Sequence, residues 1–235
     1  HRRARRLQLR IGQRALPVQL DLLDPQSWTA TVEKVISEWS RVDVLVNNAR
    51  HQCFDHRARF IDVSVETLEL ELQGNLLAPA VLSKLVLPGM LERGSGTIVN
   101  LTTTAGYMNP PGTVENGGWS SSYALAKGGL HRLAGMIAIE LGDRGIQAFN
   151  LQPGFVVGEK NAHRLAELGT IGKDVPAPTA ALGVVVAWLA TNPEAAEMNG
   201  KTIEGQIFTL ERGLYPDWRQ GRTDDGSFGP KVAVW

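Results

Sequence analysis

The chain has 235 residues, 43% hydrophobic and 20% charged, which suits one globular α/β domain and excludes a disordered or collagen-like chain. Its 24 basic and 24 acidic residues cancel, so nothing argues for nucleic acid or an anionic membrane as the main partner. One cysteine, Cys53, excludes a disulfide framework within the chain and fits a reducing, cytoplasmic compartment.

The N-terminus opens with Arg2, Arg3, Arg5, Arg6, Arg10 and Arg14, all before the first acid, Asp21; such a run reads as a solvated end. Residues 15–20 read as a first strand. Asp24 or Ser27 can cap a helix running to about Trp39. A strand follows at 42–47, then a helix started by Ser64 with Thr67 that carries Leu68, Leu72 and Leu76 on towards Leu87. Further strands are expected at 97–102, 147–151 and 206–210. Ser120–Ser122 precede a long helix ending near Leu141, where Gly142 and Gly145 can stop it. The longest apolar run, 180–190, is far short of the ~20 residues that span a bilayer and reads as a buried helix. Val44-Leu45-Val46 and Ile98-Val99 are apolar on both faces, as in a parallel sheet covered on both sides. Alternating β and α units of this spacing predict one α/β domain over 1–235, a doubly wound, three-layer parallel sheet, with 214–235 as an irregular extension.

In such a sheet, ligands bind beyond the carboxyl ends of the strands. The residues there are Asp21-Leu22, Asn47-Asn48-Ala49, Thr102-Thr103-Thr104 and Pro153-Gly154. The long helix after the third group carries Tyr123-Ala124-Leu125-Ala126-Lys127. Tyr123 and Lys127 are four apart and share a helix face. A phenol titrates at about 10, and a cation about 4 Å away at an effective dielectric near 20 is worth about 4 kcal/mol, so the lysine is placed to make the tyrosine a proton shuttle nearer neutrality, with desolvation opposing part of that shift.

The ordered set VDVLVNNA at 42–49, GN at 74–75, GTIVNLTTTAG at 96–106, YALAK at 123–127 and NLQPGFV at 150–156 resembles the short-chain dehydrogenase/reductase family. The resemblance implies a Rossmann-like fold and an oxidoreductase that uses NAD or NADP to interconvert a small-molecule secondary alcohol and ketone. It implies Tyr123 as acid/base, Lys127 as the cation that lowers its pKa and holds the nicotinamide ribose, Thr103 as the donor to the substrate carbonyl, and Asn75 as the helix asparagine that links Lys127 to a water chain. Thr102 or Thr104 takes the place of Thr103 if the register slips. Asp21, Leu22, Asn48 and Ala49 would line the adenosine side, and Pro153, Gly154 and Val156 the nicotinamide pocket. A homodimer or homotetramer is implied through the Tyr123 and Asn75 helices.

The sequence also departs from the family. No glycine-rich phosphate turn lies before Asp21, so an N-terminally shortened copy is expected, lacking the first two strands and first helix, with either a gap in the sheet or the 15–20 strand pairing directly with 42–47. Arg50 stands where the family has glycine after NNA, Gly158 where a threonine is usual, and MNPPGTVENGGW lengthens the stretch before Tyr123. An epimerase or dehydratase using the same pair, and a non-catalytic remnant acting as a binding or oligomerisation module, are the competing readings. His51, Cys53 and His56 match no zinc spacing, and no metal is expected. Glu66, Glu69 and Glu71 read as a solvated helix face. His163 and Arg164 are candidates for touching substrate.

Overall fold

The computed structural model describes residues 14–53, 58–157 and 176–218. Asp24 caps α1 (Pro25–Trp39) by accepting the Gln26 N–H, with Pro25 at the first turn, where its missing N–H costs nothing. β1 (Val44–Asn47) follows. Ser64 then caps α2 (Val65–Leu72) through the Thr67 N–H. α2 runs through a π-helical turn, Gln73–Leu77, into α3 (Ala78–Arg93), and α3 ends on the left-handed Gly94. β2 (Gly96–Leu101) leads to α4 (Ser121–Leu141), capped by Ser120, and then to β3 (Ile146–Gln152). Beyond it lie β4 (Val156–Val157), β5 (Ala177–Pro178), α5 (Thr179–Thr191), β6 (Thr202–Glu204) and α6 (Gly205–Glu211).

Among the described residues the main sheet is parallel, in the order β1-β2-β3-β6, and β4 pairs with β5 beside it. Successive residues of one strand point to opposite faces, and both faces are apolar. Ile98 and Ala148 pack with Trp28, Leu82, Met90 and Ile137 from α1, α3 and α4. Val99 and Phe149 pack with Ala181, Val185 and Leu189 of α5. The three layers expected from the sequence are therefore present. The helical stretch Val65–Arg93 is long and apolar enough to cross a membrane by composition, but it carries Leu82, Val86 and Met90 into this core.

Two expected strands are absent. Residues 15–20 are irregular, because this segment is tied to α1 rather than to β1. The Gln19 carbonyl accepts from Thr31 Oγ1, the Asp21 N–H donates to Ser27 Oγ, and the Asp21 carbonyl accepts from Trp28 Nε1. No described strand pairs with the outer edge of β1, where Val44 and Val46 stay 36% and 38% exposed. A groove of about 240 Å³ runs along that edge, between β1 and Leu20, Leu22 and Val35. The last strand lies at Thr202–Glu204, and residues 206–210 belong to α6. Thr209 bonds the Gly205 carbonyl four residues back and the Ala181 carbonyl of α5, while the buried Gln206 amide reaches the Pro153 and Phe155 carbonyls. These bonds, absent from any local pattern, overrule the strand propensity of Ile-Phe-Thr-Leu. The arginines at 2–10, His56, Gly158, His163, Arg164 and the tail from 219 lie outside the described residues.

The loop after β2 meets α4 backbone to backbone. A Cβ on Gly106 would stand 2.9 Å from the Lys127 carbonyl oxygen. Gly106→Ala should therefore push the loop and helix apart and destabilise the fold by about 1–3 kcal/mol in urea unfolding, the range for overpacking; an unchanged midpoint would contradict this contact.

Candidate active site

The carboxyl ends of β1 and β2 and the first turns of α4 bring the expected residues to one end of the sheet. α4 begins at Ser121, so Tyr123 and Lys127 lie in its first two turns. Lys127 is 3% exposed and its Nζ donates to the Leu101 carbonyl at the end of β2, at 2.6 Å. That ammonium lies 5.9 Å from the centre of the Tyr123 ring. Thr103, extended at the end of β2, caps the short turn Thr104–Gly106 by accepting the Ala105 N–H at 3.4 Å. Tyr107 anchors the far end of the turn, donating to Glu204 at 2.8 Å and stacking on His131. The neighbouring Thr102 hydroxyl is buried and makes no hydrogen bond.

Asn75, 1% exposed, sits in the π-helical turn, where an i→i+5 bond redirects its side chain. Its amide oxygen accepts the His51 N–H at 2.9 Å and its nitrogen donates to the His51 carbonyl at 3.0 Å. The same nitrogen donates to Glu71 Oε2 at 2.5 Å, and Glu71 Oε1 accepts the Cys53 N–H at 3.0 Å. Glu71 is thus fully buried, not part of a solvated face. It lies four residues before Asn75, one helical turn away, and ties the segment after NNA to the helix. The side chain of Asn75 is thus bonded to His51 and Glu71. His51 Nε2 and Cys53 Sγ are 3.3 Å apart, and no metal-ligand cluster occurs among the described residues.

Arg50 is exposed, and its guanidinium carbon lies 4.5 Å over the Tyr123 ring. Burial pushes the Tyr123 phenol above its ordinary value of 10, the Arg50 charge opposes that rise, and Glu71 adds to it. The expected depression by Lys127 is not what the site shows. Burial, helped by the Arg50 charge, brings Lys127 itself down to about 8, with Glu71 opposing, so the ammonium discharges before the phenol ionises.

The residues expected on the adenosine and nicotinamide sides fall at two places. Leu22, Asn48 and Ala49 all line the groove along β1, whereas Tyr123 and Lys127 do not. Asp21 is exposed, and its Oδ1 accepts the Leu23 N–H. Pro153 and Gly154 follow β3; Gly154 takes a positive φ of 65° and donates to the Gln152 side chain, and Gln206 holds the Pro153 carbonyl at 3.0 Å. Val156 opens β4. Arg50, Glu71 and Gln206 are the residues that sequence reasoning missed. Position carried a signal for the first two: Arg50 lies three residues past the end of β1, and Glu71 is one turn from Asn75.

The family model for short chain dehydrogenases matches residues 1–169. A 3-oxoacyl-[acyl-carrier-protein] reductase of Synechocystis is 30% identical over 212 residues, 86% of this chain and 77% of that protein. A trans-4-hydroxycyclohexanecarboxylate dehydrogenase of Sinomonas cyclohexanicum is 31% identical over 193 residues, 80% and 68%. A solved Bacillus thuringiensis structure, assigned as a 3-oxoacyl-reductase, aligns with a TM-score of 0.71 at 25% identity, over 86% of this chain and 80% of that one.

The folded protein releases the Lys127 proton near pH 8, and the unfolded chain near 10.5. Between these values the unfolded state binds more protons, so stability rises with pH through this group. Above about 10 the raised phenols of Tyr107 and Tyr123 act in the opposite sense, since they keep protons that the unfolded chain loses. Urea unfolding should show stability rising from pH 8 to 10 in the wild type, and that increment should disappear in Lys127→Met. An identical pH dependence in both would contradict the burial of a charged lysine.

Proposed function

The chain belongs to the short chain dehydrogenase family, and from that premise we propose that Tyr123 exchanges a proton with the oxygen of a secondary alcohol or ketone while hydride passes between that carbon and NAD or NADP. The coarse activity, oxidation and reduction of small molecules, follows from the family and from relatives that are reductases and dehydrogenases. The observation that carries the finer reading is the placement of Lys127. Its ammonium is fixed to the end of β2 by Leu101, 5.9 Å from the Tyr123 ring, on the side of the sheet where the NNA and PG turns lie.

The donor set suits a nicotinamide nucleotide. An ammonium has three N–H donors, and Lys127 spends one on Leu101, which leaves two for the vicinal hydroxyls of a ribose. Leu22, Asn48 and Ala49, which line one groove, would hold the adenosine side. Pro153, Gly154 and Val156 would bound the nicotinamide side. The bound nicotinamide supplies the hydride.

The phenol's raised pKa sets its protonation state. Tyr123 stays protonated through neutral pH and is set to donate its proton to a carbonyl oxygen, which suits ketone reduction. Thr103, with a hydroxyl at the end of β2, is the second donor to that oxygen. Glu71 and Asn75 brace the loop after β1. The names of the relatives describe a 3-oxoacyl group and a ring hydroxyl, both members of an alcohol–ketone pair. A cytoplasmic homodimer or homotetramer completes the reading; on α4, Leu125, Met136 and Ile139 are 53%, 57% and 88% exposed and offer an apolar face.

With the intact protein and a panel of ketones and secondary alcohols, nicotinamide absorbance should report turnover. Tyr123→Phe should lower it by about a hundredfold to ten-thousandfold, the usual worth of a general acid, with unchanged far-UV circular dichroism. Turnover that survives Tyr123→Phe would refute the assignment.

A further inference from the structure

Arg50 is unusually placed for an exposed arginine. Its guanidinium lies 4.5 Å over the ring of Tyr123, and among the described residues it makes no hydrogen bond or ion pair. Stacking on an aromatic ring engages the flat face of a guanidinium and leaves its edge, a planar fork of N–H donors, available. Exposed arginines usually find a carboxylate, but the acid that acts on this site, Glu71, is fully buried and already accepts from Cys53 N and Asn75 Nδ2. Among the described residues, Tyr123 thus has two cations beside it, Arg50 and Lys127, and one carboxylate, Glu71, each of whose oxygens already accepts a hydrogen bond inside the protein. Lys127 is buried and turned to Leu101, so the solvent-facing cation beside Tyr123 is Arg50.

We propose that Arg50 is an anion clamp beside the reacting phenol, which selects a short oxo acid whose carboxylate lies one or two carbons from the carbonyl that Tyr123 protonates. The substrate class follows from the juxtaposition. A carboxylate paired with a guanidinium that lies on the Tyr123 ring is held close to the phenol oxygen, so few bonds separate it from a carbonyl reaching that oxygen. The guanidinium fork matches both carboxylate oxygens, a match that an ester or thioester does not offer. The clamp rests on the proposed role of Tyr123 and adds the identity of the group next to the reacting carbon.

The test separates the two readings by measuring binding as well as turnover. Acetoacetate and its neutral methyl ester are titrated calorimetrically into the wild type, Arg50→Gln and Arg50→Lys. The wild type should bind the acid about tenfold to a hundredfold more tightly than the ester, the worth of a charge-assisted hydrogen-bond pair. That preference should fall to about one in Arg50→Gln and return in part in Arg50→Lys, which restores charge without the fork. Equal binding of acid and ester by the wild type, no binding of the acid, or a preference that persists in Arg50→Gln would each overturn the clamp. Turnover of both probes at equal kcat/KM would also overturn it and leave the oxidoreductase reading standing. An Arg50-dependent preference without any change in nicotinamide absorbance would reject the hydride-transfer reading and with it the oxo-acid substrate, leaving Arg50 as an anion site alone.

Discussion

The site depends on one short hydrogen bond, from the buried ammonium of Lys127 to the carbonyl of Leu101. Leu101 is the last residue of β2, so its carbonyl has no further ladder to join on that side. A lysine from α4 satisfies it and thereby locks the helix against the end of the strand. Gly106 lets the intervening loop rest directly on the Lys127 backbone, and Gly129 lets Leu76 of the π-helical turn approach the same helix. Because Tyr123 lies one turn before Lys127, the position of the phenol is set by the same contacts. The sheet, the loop carrying Thr103 and the turn carrying Asn75 are all referenced to this helix face.

Electrostatics around that face are decided by burial more than by proximity of charge. A lysine one turn from a tyrosine would depress the phenol if both were wet. Here desolvation acts on each: it raises Tyr123 and lowers Lys127, and the ammonium gives up its proton first. Arg50 is the exposed positive charge over the ring, while Glu71, held inside by Asn75 and Cys53, supplies the opposing sign. A phenol kept protonated is a donor, and that is the state a carbonyl needs.

Local chemistry made part of this arrangement legible in the sequence. Asp24, Ser64 and Ser120 announced three helix starts because a cap is a matter of one side chain and the N–H groups beside it. The strands holding Val44-Leu45-Val46 and Ile98-Val99 were readable because residues covered on both faces must be apolar on both. Residues 206–210 misled because Gln206 and Thr209 find partners on segments 28 to 53 residues away, which no window sees. The 15–20 segment was apolar for the sake of α1 and the core, not for a ladder. Glu71 looked solvated from its charge; only its spacing to Asn75 hinted otherwise. Arg50 registered as a lost glycine, since the ring it covers lies 73 residues along the chain.

The most direct measurement is the titration of Tyr123 itself, followed by NMR of protein labelled at the tyrosine ring carbon that bears oxygen, with Tyr123→Phe to assign the signal. The account predicts that this carbon reports a neutral phenol through pH 10 and ionises only above it, and at still higher pH in Arg50→Gln. A phenolate already formed near pH 8, or a titration indifferent to Arg50, would contradict it.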